Sequence, residues 1–235
     1  MGIMQRMILM LSVAALITTS VFADGYTSSS AFSAAIASMS NVTTANFDSD
    51  PTGNIAQGAT VDGIQFNYNI DGGLDSLAIV SSLIYFDTTS PPNYLGSNDL
   101  GTAALFPGDS VTMSFASPVN ALGFFIIGGP YNNGDFTLSS TTATAISSNV
   151  LEETLGDGGQ VIFLGITSTT AFSSATVSLD PSAGELWNLD DITTAQIPAS
   201  PTPEPDSVVL AVEGLLAFCA LLLWKMRAAR AELSR

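Results

Sequence analysis

Apolar and polar residues alternate in short segments over most of this chain, and three stretches depart from that rhythm. Val111, Met113 and Phe115 alternate with Thr112 and Ser114, the period-two signature of a half-buried strand. Phe136 and Leu138 alternate with Thr137 and Ser139, and Val177 and Leu179 with Thr176 and Ser178. Runs at 121–127 and 161–166 are continuously apolar and predict more fully buried strands. Further strands are expected at 43–47, 64–68, 77–86, 143–151 and 187–195. The first departure is residues 29–39, where Phe32, Ile36 and Met39 recur at helical spacing and Ser28 or Ser29 is placed to cap. The other two are apolar runs at 7–17 and 207–224. Many short strands separated by Gly, Asp, Asn and Pro, after one short helix, predict an all-β fold: an antiparallel β-sandwich of jelly-roll type. Gly156-Asp157-Gly158-Gly159 reads as a hairpin loop, since no Lys and no helix follow it.

Charge is distributed with unusual asymmetry. Every Lys and Arg lies near an end (Arg6, Lys225, Arg227, Arg230, Arg235), and there is no His. Between Ala23 and Pro203 stand fourteen Asp and three Glu with no basic side chain. Nucleic acid is excluded as a partner of this body, because phosphate binding is driven by Lys and Arg. Anionic surfaces and acidic polysaccharides are repelled unless a divalent cation bridges them. Each carboxylate must be solvated, accept hydrogen bonds or bind a metal, because burying it bare is prohibitive. The one cysteine, Cys219, lies outside the body, so the fold needs a real hydrophobic core, and about 175 residues suffice for one domain.

The ends predict passage through a membrane. Arg6, the apolar run and Val21-Phe22-Ala23 read as a secretory signal peptide over 1–23, cut by signal peptidase. Residues 207–224 would span about 27 Å as a helix, just enough for a hydrocarbon core. Glu213 within it costs roughly 3 kcal/mol, against about 5 kcal/mol returned by the Leu, Val and Phe residues. The basic residues Lys225, Arg227 and Arg230 follow the apolar run, so positive-inside orientation puts 225–235 in the cytoplasm and 24–206 outside. Four prolines within 198–205 predict a semi-extended linker over 198–206, leaving 24–197 as the exported domain.

Pro203-Glu204-Pro205, the Leu-rich run and the terminal basic cluster together resemble a PEP-CTERM sorting signal. The body is similar to other bodies of that family at Asn46-Phe47-Asp48, Val61-Asp62-Gly63-Ile64-Gln65-Phe66, Pro118-Val119-Asn120-Ala121-Leu122-Gly123-Phe124 and Leu189-Asp190-Asp191-Ile192. The resemblance implies an exported bacterial protein, recognised at Pro203, Glu204 and Pro205 by an exosortase-type membrane protease. It implies delivery to the cell surface or to an exopolysaccharide matrix.

Three chemistries are open to the body. In a jelly roll the first and last strands lie side by side, which would gather Asp48, Asp50, Asp190 and Asp191. A structural Ca2+ would then relieve their repulsion; alternatively Asp190 and Asp191 point to opposite faces, one accepting loop amides and one in water. Tyr85, Tyr94, Tyr131 and Trp187 offer flat faces to a glycan, which would make the body a carbohydrate-binding module, or else they pack in the core. Without His, Cys or Lys, triads and thiol nucleophiles are out of reach. A glycoside hydrolase needs only two carboxyls, and Glu152, Glu153 and Glu185 are the glutamates present. The expectation is a non-enzymatic exported protein.

Overall fold

The computed structural model describes residues 23–70, 73–83, 86–198, 213–216, 218 and 219. The chain divides into two compact units, Met1–Ile197 and Pro198–Arg235. The first is all-β and antiparallel apart from one short helix, α1 (Ser29–Ile36).

Two long strands organise it, β8 (Ser110–Gly128) and β12 (Gln160–Leu179). Each passes through two sets of partners. Residues 110–115 of β8 pair with β5 (Ile64–Asn69) and with 174–178 of β12, which also pairs β9 (Phe136–Ser140). Residues 121–128 of β8 pair with 160–167 of β12 and with β13 (Trp187–Gln196). The break comes at residues 116–118 of β8 and 169–171 of β12, which are exposed and flanked by register shifts. Bulges of this kind let one strand bend from one layer into another, and the arrangement is β-sandwich-like. The sequence had presented each long strand as two short ones. Pro118 is tolerated because it sits at the exposed bend.

Shorter strands fill the edges. β1 (Ala23–Tyr26) and β11 (Glu153–Thr154) pair with β12, and β10 (Thr144–Ile146) pairs with β9. β2 (Ser40–Ala45) pairs with β13, so the first strand after the helix lies beside the last. β7 (Asn93–Ser97) joins β13 to β6 (Leu77–Ser81), which pairs with β3 (Gly53–Asn54). β4 (Thr60–Val61) pairs with β5 through a two-residue loop, Asp62-Gly63, whose φ values of 48° and 79° are those of a type I′ turn. The tetrapeptide 156–159 is the loop of the β11–β12 hairpin. Two expected strands are shorter than their patterns: β6 ends at Ser81 rather than 86, and 143–151 forms only β10.

The core draws on both sets of pairings, with Phe66, Val111, Met113, Leu138 and Val177 alongside Leu122, Phe124, Ile126, Leu164 and Leu189. Helix α1 lies on a smaller cluster made with Ala121, Phe163 and Ala195. Gly123 and Gly165 face each other across β8 and β12, and a Cβ on either would come within 2.9 Å of the Phe32 ring. The glycine pair therefore forms the trough that receives Phe32, whose burial stabilises the helix by about 2 kcal/mol. The helix ends before Met39, which packs against the same cluster from the following turn.

Candidate functional site

Asp48 and Asp50 follow β2, Asp190 and Asp191 lie on its partner β13, and these aspartates find different partners. β13 carries a bulge after Asp190, where Asp191 adopts φ 52° and the register to β8 shifts. Asp190 is fully buried and reaches the loop before β7. Its Oδ2 accepts from Thr89 Oγ1 at 3.0 Å, Ser90 N at 3.0 Å, Ser90 Oγ at 3.1 Å and Thr88 Oγ1; its Oδ1 accepts from Asp191 N at 2.8 Å. Thr89 Oγ1 also lies 3.0 Å from Asp191 Oδ2, so the bulge turns both carboxylates toward one hydroxyl instead of to opposite faces. Burial pushes the Asp190 carboxyl up to about 6, against the Thr88, Ser90 and Asp191 donors that favour its ionised form; the neighbouring Asp191 charge adds to the rise.

Asp48 takes a separate set of donors: Asn93 N to Oδ1 at 3.3 Å and Asn46 Nδ2 to Oδ2 at 2.9 Å. Asn93 is the hub that the sequence did not reveal. Its buried side chain donates to the carbonyls of Phe47 and Asp50, both at 3.1 Å, pinning the turn that carries Asp48 and Asp50. The metal expectation is corrected here. Among the described residues no group of three or more His, Cys, Asp or Glu is arranged to hold a metal ion. The reason is that hydroxyl and amide donors already occupy the oxygens of Asp48 and Asp190 that a cation would need.

Asp50 is the exception. Its Oδ2 is buried with no hydrogen-bond partner, and its charge acts on Asp62, at the tip of the β4–β5 hairpin. Desolvation and then the Asp50 charge and hydrogen bond raise the Asp62 carboxyl, opposed by a hydrogen bond from the Phe47 amide. Asp62 and Gly63 line a groove of about 360 Å³ against β2, with Thr43, Phe115 and Thr194. Asp50 and Asp62 line a further depression of about 520 Å³ with Pro51, Thr52 and Thr60.

The glycan expectation is also corrected. Tyr94 and Trp187 are fully buried and Tyr131 is 5 % exposed, so none presents a face to a sugar. Trp187 stacks edge-to-face on Phe136 at 5.4 Å and donates its Nε1 proton to the Phe106 carbonyl; Tyr131 donates to the Leu186 carbonyl. Burial pushes the Tyr131 phenol well up. Tyr85 lies outside the described residues.

The glutamates are scattered. Glu152 reaches 123 residues back in sequence to the start of α1, where its two oxygens accept from Ser29 N and Ser29 Oγ at 2.7 Å. A carboxylate here satisfies a free helix amide and complements the helix dipole, which Ser28 does not do with its own side chain. Glu153 is exposed on β11, and Glu185 lines a separate depression of about 290 Å³ with Asp157 and Phe86.

Pro203, Glu204, Pro205, Lys225, Arg227 and Arg230 lie outside the described residues, as do 1–22. Residues 213–216, 218 and 219 are helical, with Leu215, Leu216 and Phe218 exposed. Among the described residues no helix is long and apolar enough to cross a membrane. No protein-family model, no curated protein and no solved structure matches the chain.

Proposed function

We propose that this chain is a non-enzymatic exported protein, a jelly-roll-type body carried to the cell surface or extracellular matrix by a C-terminal sorting segment. The observation that carries the proposal is the order Pro203-Glu204-Pro205, apolar run, basic cluster, joined to a body that has no cation of its own. In this reading signal peptidase removes 1–23, residues 207–224 hold the chain in the inner membrane with its basic end in the cytoplasm, and an exosortase-type protease reads the proline-flanked Glu204. Two features support it. The compact unit closes at Ile197, immediately before the proline-rich segment. The β2–β13 pairing, which lays the first strand after the helix beside the last strand, supports a jelly-roll reading of the body.

The test is subcellular fractionation of the wild type and Glu204→Ala in a host that carries such a protease. Wild type is expected in shortened form outside the inner membrane, and Glu204→Ala at full tail length within it. Identical size and location for the two would overturn the reading.

A further inference from the structure

We propose that the Asp50–Pro51 bond is a self-cleavage site, at which the Asp50 carboxylate cuts its own chain and leaves a two-piece domain. The chain has two Asp–Pro bonds, Asp50–Pro51 and Asp180–Pro181. Each places a nucleophile beside a group that can depart. The Asp oxygen closes a five-membered ring on its own carbonyl carbon, and attack within one residue has a large entropic advantage. The Pro nitrogen belongs to a tertiary amide, readier than other peptide nitrogens to take a proton and leave.

The fold matches the two carbonyls and distinguishes the two carboxyls. The Asp50 carbonyl accepts from the buried Asn93 Nδ2 at 3.1 Å and the Asp180 carbonyl from Ala183 N at 3.0 Å, so a donor polarises each. The Asp180 carboxylate is tied down: its Oδ1 accepts from Ser182 Oγ and Ser182 N, both at 2.7 Å. The Ser182 hydroxyl and then its amide hold that carboxyl below its ordinary value. Asp50 Oδ2, by contrast, is buried with no hydrogen-bond partner. Its lone pairs are free for attack, whereas the Asp180 oxygen must first give up two charge-assisted hydrogen bonds. The turn also holds the bond still, because Asp50 N and Asn93 Nδ2 both donate to the Phe47 carbonyl. Pro51 is exposed and lines the 520 Å³ depression, so water reaches the bond.

The step balances as a hydrolysis. Asp50 Oδ2 bonds to the Asp50 carbonyl carbon, the bond from that carbon to the Pro51 nitrogen breaks, and the nitrogen takes the carboxyl's proton. Water then opens the cyclic anhydride, leaving Asp50 with two carboxyls and Pro51 with a free amine. Because the departing nitrogen needs that proton, the cut belongs to acidic surroundings and fades toward neutral pH. The charged groups nearby are acids, Asp48 in the same turn and Asp62 on the same depression; residues 24–197 contain no Lys, Arg or His. The new Pro51 ammonium is therefore a cation that this acidic surface otherwise lacks. The segment before the cut stays in place, since β1 and β2 remain paired with β12 and β13 and Phe32 remains in its trough.

The experiment follows the intact mass of the full-length chain at about pH 4, near the ordinary carboxyl value, folded and in concentrated urea. Folded wild type should yield one piece ending at Asp50 and one beginning at Pro51, their masses summing to the chain plus one water. The two should co-elute until denatured. Cutting at 50–51 should outrun cutting at 180–181 on the order of tenfold in the folded chain, and by less than about twofold in urea. Pro51→Ala, at an exposed position, should abolish the 50–51 cut. Ser182→Ala, which frees Asp180 of its hydroxyl donor, should speed the 180–181 cut several-fold in the folded chain alone. An uncut bond in folded wild type, the same ratio of the two cuts with and without urea, or an undiminished cut in Pro51→Ala would overturn the proposal. So would an unchanged 180–181 cut in Ser182→Ala, or pieces that part without denaturant.

Discussion

Asp190 and Asp62 face the same problem with different resources. Each stands beside a second carboxyl, in a body without a basic side chain, and each has its carboxyl pushed up from the usual range. Around Asp190 the chain has gathered three hydroxyls and two backbone amides, so the charge is buried yet fully served. Around Asp62 it has supplied one amide and another acid. The difference shows that donors, rather than counter-charges, decide where this domain can bury an acid. The same device recurs elsewhere: Asp99 accepts from the Gly101 and Thr102 amides and Asp180 from Ser182, lowering both carboxyls, while Asp87 and Asp157 each accept the other's backbone amide.

Removing the well-served carboxyl should do the most damage. Asp190→Ala leaves the Ser90 and Asp191 amides and the Thr88 hydroxyl without their acceptor, and should cost about 3–4 kcal/mol in urea unfolding. It should also loosen the loop before β7, read as faster exchange at Ser90. A cost below about 1 kcal/mol would mean the knot is ornamental.

The pH dependence comes next. Asp190 has a folded-state value near 6, above the ordinary 3.8, so the folded state binds the extra proton in that interval. Its contribution is therefore full below about pH 4 and is lost as pH rises through about 6, on the order of 3 kcal/mol. Stability curves of wild type and Asp190→Asn should differ in slope only within that interval. A wild type that gains stability from pH 4 to 6 would contradict the assignment.

Asp62→Asn should act in the opposite direction from Asp190→Ala. It removes like-charge repulsion and gives Asp50 a donor, raising stability at pH 7 by no more than about 1 kcal/mol because Asp62 is largely exposed and water screens it. Destabilisation would break the contrast between the two sites. Smallest is Glu152→Gln, which keeps an acceptor for Ser29 but loses the charge at the helix start. It should cost about 0.5 kcal/mol, and less in high salt. Thermal melts at two salt concentrations would check it.

Much of the architecture was legible because the alternation is regular where strands are half-buried. Residues 64–68 correspond closely to β5 for that reason, and the expected strand at 187–195 corresponds to β13. β7 was hidden by Gly96, which is there because a Cβ would lie 2.2 Å from the Ala103 carbonyl oxygen. The continuity of β8 was hidden by Pro118. At the candidate site, the sequence could place Asp48, Asp50, Asp190 and Asp191 in one neighbourhood through the first-and-last strand argument. It could not show which donors serve each, because Thr88, Ser90 and Asn93 come from a loop and strand distant in sequence. The aromatics misled because Trp187 and Tyr94 sit in strands whose neighbours are also apolar, where burial is the ordinary outcome.

Export and sorting can be read straight from the two ends of the mature chain, by intact-mass spectrometry of protein recovered from membrane, surface and medium fractions. The prediction is a mature species beginning at Asp24 and ending near Glu204. A single species carrying all 235 residues, dissolved in the cytosol, would contradict it.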